Sequence, residues 1–186
     1  MSRTIRSLLA VLLGLGLALA GAAVAVPASA APAQCATAWG SLAKTAPALG
    51  PAPVIAARTG QHPCFDRVVF DLAGPAAGYS VEYVDTVTLD GSGAALPVPG
   101  GARLQVQLHH PSYDEQGNST VPYGLGEQVA DVGGYATLRS VVYGNSFEGY
   151  TTFGVGVRAR LPFRVFTLAG PGEHGRIVLD VAHRWS

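Results

Sequence analysis

An all-β domain, a sandwich or a barrel, is the fold that this 186-residue chain predicts. Short alternations of apolar and polar residues recur from Arg67 onward. Gly/Pro clusters punctuate them, and no long stretch of that region repeats apolar residues at the 3.6-residue helical period.

The first thirty residues stand apart. Arg3 and Arg6 form a positive start, Leu8 to Val26 is almost only Leu, Ala, Val and Gly, and Ala28 and Ala30 supply an A-x-A cleavage site. This is the grammar of a secretory signal peptide over residues 1–30. The rival reading, a membrane span, needs about 20 apolar residues with polar flanks on both sides, whereas this run leads straight into the cleavage site. Gln34 before Cys35 does not fit a lipoprotein box. The expected product is soluble, secreted and without a membrane span after cleavage. Its 156 residues suffice for one domain with a core.

Without Arg3 and Arg6, 10 Lys+Arg face 12 Asp+Glu, a balance of −2. No basic block remains to track phosphates, which argues against nucleic acid as a partner. Lys44 is the only lysine; the preference for Arg, with abundant Ala and Gly, points to a GC-rich, actinobacterial source. Cys35 and Cys64 are an even count in an exported chain, which favours a disulfide. A nucleophilic or metal-binding cysteine is the alternative, and no histidine sits beside either residue at a suitable spacing.

Residues 31–58 are Ala/Pro-rich and read as an N-terminal arm. Cys35, Trp39 and Leu42 recur at helical spacing, so a short helix or turn is expected there, halted by Pro47. The domain is expected over 59–186. Its first strand opens at Arg67, with Val68, Phe70 and Leu72 on one face and Val69 and Asp71 on the other. Further strands are expected at Tyr79–Val84, Leu104–Leu108, Thr137–Tyr143, Thr151–Arg160, Arg164–Leu168 and Arg176–Ala182. Residues 111–127 form the longest polar break, a length often functional or mobile.

One motif occurs twice. Arg67-Val68-Val69-Phe70-Asp71-Leu72 matches Arg176-Ile177-Val178-Leu179-Asp180-Val181. Any good strand has this texture; a sharper reading is two related half-domains. An Arg and an Asp four apart on one strand share a face but stand too far apart to pair, so partners on neighbouring strands are expected.

Several blocks together carry a resemblance. They are Thr59-Gly60-Gln61-His62-Pro63-Cys64-Phe65-Asp66-Arg67, Pro75 to Asp85, Phe147-Glu148-Gly149 with Thr152 to Arg158, and Pro162 to Leu168 followed by Arg176 to His183. Over roughly 59–184 the chain resembles the AMIN-like domain of secreted actinobacterial proteins, related in pattern to the AMIN domain that targets amidases and secretin components to the envelope. The resemblance implies a two-sheet β-sandwich with a non-catalytic, envelope-binding role. Cys35 with Trp39-Gly40-Ser41 is similar to the arm of such proteins. No amidase or pore-forming domain is expected after Ser186.

The sequence contains no Gly-x-Ser-x-Gly elbow, His-Glu-x-x-His, P-loop or dinucleotide-binding glycines. Asp114-Glu115 reads as solvated loop charge rather than a glycosidase pair. His109 and His110 are strand neighbours that point to opposite faces and do not suit one ion. Asn118-Ser119-Thr120, a sequon, reads as a polar turn. No cofactor, metal or catalytic residue is expected.

The leading binding candidate is the strand Phe153-Gly154-Val155-Gly156-Val157-Arg158. Gly154 and Gly156 leave one face bare, either for tight packing against a crossing segment or for close approach of a ligand. With a ligand there, Arg158 and Arg160 would meet peptide carboxylates, and Tyr143, Phe147 and Tyr150 would offer flat surface to sugar rings. As core or edge aromatics, those three need no ligand. The expected function is a cell-wall-associated module that binds peptidoglycan or another cell-wall glycan. A protein-interaction domain of an envelope complex, docking an envelope protein through a strand edge or the 111–127 loop, is the alternative.

Overall fold

The computed structural model describes residues 35–185, and the signal peptide expected over 1–30 lies outside the described residues. Among the described residues, no helix is long and apolar enough to cross a membrane. The strands there are β1 (Lys44–Ala46), β2 (Val54–Gln61), β3 (Phe65–Leu72), β4 (Tyr79–Val84), β5 (Val87–Thr88), β6 (Ala95–Leu96), β7 (Ala102–Leu108), β8 (Leu138–Phe147), β9 (Tyr150–Val157), β10 (Phe163–Ala169) and β11 (Gly175–Ala182). They build a five-stranded sheet of order β1-β4-β7-β9-β8 and a four-stranded sheet of order β10-β11-β3-β2, with a small β5-β6 ribbon. Every pairing is antiparallel.

The two main sheets pack face to face through the side chains that the alternation marks. Val68, Phe70 and Leu72 of β3 and Ile177, Leu179 and Val181 of β11 meet Leu104, Val106 and Leu108 of β7 and Phe153, Val155 and Val157 of β9. The Phe70 and Phe153 rings lie 4.8 Å apart. Tyr79 and Tyr83 reach across from β4 and donate their hydroxyls to the carbonyls of Val165 and Leu161.

Two features of the N-terminal region depart from expectation. The apolar spacing at Cys35, Trp39 and Leu42 forms no helix: Trp39 turns onto Phe65, while Leu42 is 76% exposed, so the three share no buried face. The stretch 31–58 read as arm also supplies strands. Lys44–Ala46 joins the five-stranded sheet beside β4, and β2 begins at Val54. A bulge between Val54 and Ala56 breaks the alternation that would have revealed β2. Cys35 and Cys64 are bonded, with their Cα atoms 5.2 Å apart, which holds the arm to the start of β3.

The long polar break is largely docked. Thr120 Oγ1 donates to the carbonyl of Val54, and the Tyr123 hydroxyl accepts from the amide and donates to the carbonyl of Ala57. Tyr143 N–H donates to the carbonyl of Glu127 and Val129 N–H to that of Val141. The segment therefore covers the open edges of β2 and β8, which would otherwise expose unpaired backbone. The buried Asp66 carboxylate adds a latch: it accepts the N–H groups of Thr137 and Leu138 and meets His183 Nε2 at 3.0 Å.

His110 seals the joint between the arm and the β3–β4 loop. Its side chain is fully buried; Nδ1 donates to the Ala52 carbonyl and Nε2 accepts the Ala77 N–H. Burial pushes its pKa below the usual 6.5, a shift aided by the neighbouring His109 and opposed by the Ala52 bond. The folded state thus holds a neutral ring where the unfolded chain takes up a proton, so this contribution is complete above about pH 6.5 and declines as pH falls through the depressed folded-state value. The thermal midpoint, measured from about pH 8 down to about pH 5, is expected to fall along that course. His110→Gln, which does not titrate, should flatten it; an unchanged pH profile in the variant would contradict the assignment.

Candidate functional site

The glycine strand is a packing element. The β4–β7 connection, residues 85–101, folds back over the outer face of the five-stranded sheet and buries Val87, Leu96 and Val98 against Val142. It runs directly across the bare face of β9. A Cβ on Gly154 would stand 2.3 Å from Val98 Cγ2, and one on Gly156 would stand 1.8 Å from the Pro99 carbonyl oxygen and 2.3 Å from Ser140 Oγ. The space beside these glycines is filled by the chain itself, leaving none for a ligand.

The remaining residues of that candidate set do not converge. Arg158 and Arg160 lie beyond the end of β9: Arg158 donates to the His183 carbonyl, and Arg160 donates to Ser41 and stacks over Tyr83. Both tie down chain ends. Tyr143 is buried, its hydroxyl 2.9 Å from Ser112 Oγ. Phe147 and Tyr150 flank the Glu148-Gly149 hairpin turn, whose two residues both have positive φ, as a type I′ turn requires. Tyr150 packs on His109 and the Phe147 ring lies against Gly91. At about 3.3 Å per residue, Phe147 and Tyr150 stand roughly 25 Å from Arg158 along β9.

The structure instead assembles a charged and aromatic surface on the outer face of the four-stranded sheet. The repeated hexapeptide builds it. β3 and β11 pair antiparallel with Arg67 opposite Asp180, Val69 opposite Val178 and Asp71 opposite Arg176. The two copies are therefore related by a local twofold at Val69–Val178 that sets each arginine across from the other copy's aspartate. The neighbouring strands add to it: β10 places Arg164 opposite Asp180, and β2 places Arg58 opposite Val69.

Asp180 has no solvent exposure and takes two guanidiniums, Arg67 at 2.6 Å and Arg164 at 2.8 Å. The hydrogen bond to Asp180 raises the pKa of Arg67 above its ordinary value. Arg164 lies 4.4 Å from the Trp39 ring centroid and 5.1 Å from that of Phe166, while Arg67 lies 5.2 Å from that of Phe65. Trp39 is brought here by the disulfide-tethered arm. On the other side of the local twofold, Arg58 rather than Arg176 pairs with Asp71, at 2.7 Å.

The vertical order matters most. The carboxylates lie low, with Asp180 at 0% and Asp71 at 22% side-chain exposure. The guanidiniums of Arg67, Arg164 and Arg58 rise above them at 24%, 41% and 55%. A nearly neutral chain thus presents a positive face.

The Asp114-Glu115 loop is not tuned as an acid/base pair. Asp114 is half-buried, and hydrogen bonds, first from the Asn118 side chain, hold its carboxyl below the usual range. A general acid requires the opposite shift. Among the described residues no group of three His, Cys, Asp or Glu is placed to hold a metal ion.

The family model of the AMIN-like domain matches residues 52–183. The chain belongs to the AMIN-like domain family. The match starts just before β2 and ends just after β11, so it takes in both sheets except β1. No curated protein matches the chain. Membership gives this AMIN-like domain the coarse role of an envelope-associated module, and the repeated strand motif lies inside the matched region.

The two glycines separate packing from binding experimentally. Gly156→Ala drives a Cβ into backbone and is expected to destabilise the fold by about 3 kcal/mol, at the upper end of overpacking costs. Gly154→Ala meets the Val98 side chain, which can shift, and should cost about 1–2 kcal/mol. Urea unfolding of the two variants checks the order; equal stability of Gly156→Ala and wild type would contradict the packing assignment.

Proposed function

We propose that this AMIN-like domain is a secreted, non-catalytic module of the cell wall that binds peptidoglycan or another wall glycan. The observation that carries this reading is the outer face of the four-stranded sheet, where guanidiniums and aromatic rings alternate. Planar guanidinium forks suit carboxylates and phosphates, and aromatic rings offer flat apolar area to sugar rings. The export signal expected at the N-terminus and the family's envelope association support the same reading. The expected wall contacts move from the β9 face and Arg158/Arg160 to this second face, because the former are occupied by the chain's own segments.

A docked protein is the second reading, favoured by β10. It is an edge strand, and its last three residues, Thr167, Leu168 and Ala169, are exposed. Edge strands with free backbone groups accept an added strand from a partner.

Co-sedimentation of the purified chain with protein-free cell-wall sacculi tests the first reading. Retention on the sacculi is expected. Retention only on envelopes that still carry their proteins would replace the wall ligand with a protein partner.

A further inference from the structure

We propose that the groove between Arg58, Arg67 and Arg176 is an anion-recognition site that takes an oxyanion, a carboxylate or a phosphodiester, carried by a wall polymer. This deepens the wall-binding reading and rests on it for the identity of the polymer, though not for the chemistry of the site.

The groove has a volume of about 260 Å³ and runs over the local twofold, with Val69 and Val178 in its floor and His62 at one end. Three of its lining residues are arginines and none is acidic. The charge surplus comes from a break in the twofold. In the Arg67–Asp180 half, the facing pair closes at 2.6 Å. In the other half, Asp71 faces Arg176 in register but is taken by Arg58 from β2.

Arg176 is left with one hydrogen bond, from Nη2 to the Ala169 carbonyl, while its Nε is buried without a hydrogen-bond partner. A guanidinium without a counter-ion beside an apolar floor is held ready for an anion, because desolvated hydrogen bonds between ions are the strong ones. By contrast, the larger groove beneath the β5–β6 ribbon, about 460 Å³, contains Asp85 as well as Arg103, and the Nε of that arginine already donates to the Val98 carbonyl.

The test uses two soluble probes, short poly-glutamate and inorganic polyphosphate, titrated into the labelled chain and followed by nuclear magnetic resonance. At least one probe is expected to shift the signals of Arg58, Arg67 and Arg176, with binding that weakens as salt rises. Arg176→Ala should weaken it about tenfold. Arg58→Ala should weaken it as well, because it frees Asp71 to pair with Arg176. Arg139→Ala, an exposed arginine on β8, should change nothing. Thermal midpoints near that of wild type exclude unfolding as the cause.

Binding of neither probe, shifts mapping elsewhere, or undiminished binding by both Arg176→Ala and Arg58→Ala would overturn the site. The source of the oxyanion is read on sacculi. Loss of retention after amidation of wall carboxylates identifies the peptide stems, and loss after hydrofluoric acid, which cleaves phosphodiesters, identifies an attached polymer. Retention unaffected by both treatments would overturn the proposal. Probe binding without any retention on untreated sacculi would leave the anion site standing and remove the wall reading.

Discussion

A carboxylate buried between two arginines organises this molecule. Asp180 sits in a central strand of the four-stranded sheet with no access to water. A buried charge is costly unless paired and hydrogen-bonded. Its two partners come from the strands on either side, Arg67 on β3 and Arg164 on β10, so satisfying one anion joins three strands in a single register. Because both partners are long and amphipathic, they keep their stems on the sheet and their charged ends near solvent. Trp39, Phe65 and Phe166 stack around them, and the disulfide fixes the arm that carries Trp39.

The two sheets have divided their work. The outer face of the five-stranded sheet is covered over β7, β8 and β9 by the 85–101 excursion, and its glycines exist because that excursion lies almost in contact with the β9 backbone. Two of the sandwich's edges, at β2 and β8, are capped by the segment that follows β7. What stays open is the outer face of the four-stranded sheet. Its charge is positive because four arginines, Arg58, Arg67, Arg164 and Arg176, share it with two aspartates, Asp71 and Asp180, that lie beneath them. A charge count over the whole chain, with 12 Lys+Arg against 12 Asp+Glu, conceals this.

Much of the architecture was legible in the sequence because strands buried on one face must alternate. The alternation marks Tyr79–Val84 to the residue, and Arg67–Leu72, Leu104–Leu108 and Arg176–Ala182 to within a few residues. β2 was hidden by its bulge, and β1, β5 and β6 are too short to show a period. The repeated Arg–Asp motif was visible, and cross-strand partners for it were expected. What local pattern could not convey was that the two copies are each other's neighbours, or that Arg58 would divert Asp71 from Arg176. Those facts depend on strand order. The glycines of β9 carried a signal compatible with either a ligand or a crossing segment, and only the path of a distant loop decided between them.

The central claim is that Asp180 couples its arginines strongly enough to hold the face in place. A double-mutant cycle on stability, with Arg67→Met, Asp180→Asn and the pair, tests it most directly. A coupling of about 2 kcal/mol is expected, above the roughly 0.2–1 kcal/mol typical of exposed ion pairs and below what a wholly buried pair gives, since Arg67 reaches solvent. A coupling near zero would contradict it, and would mean that the register of β10, β11 and β3 rests on apolar packing alone.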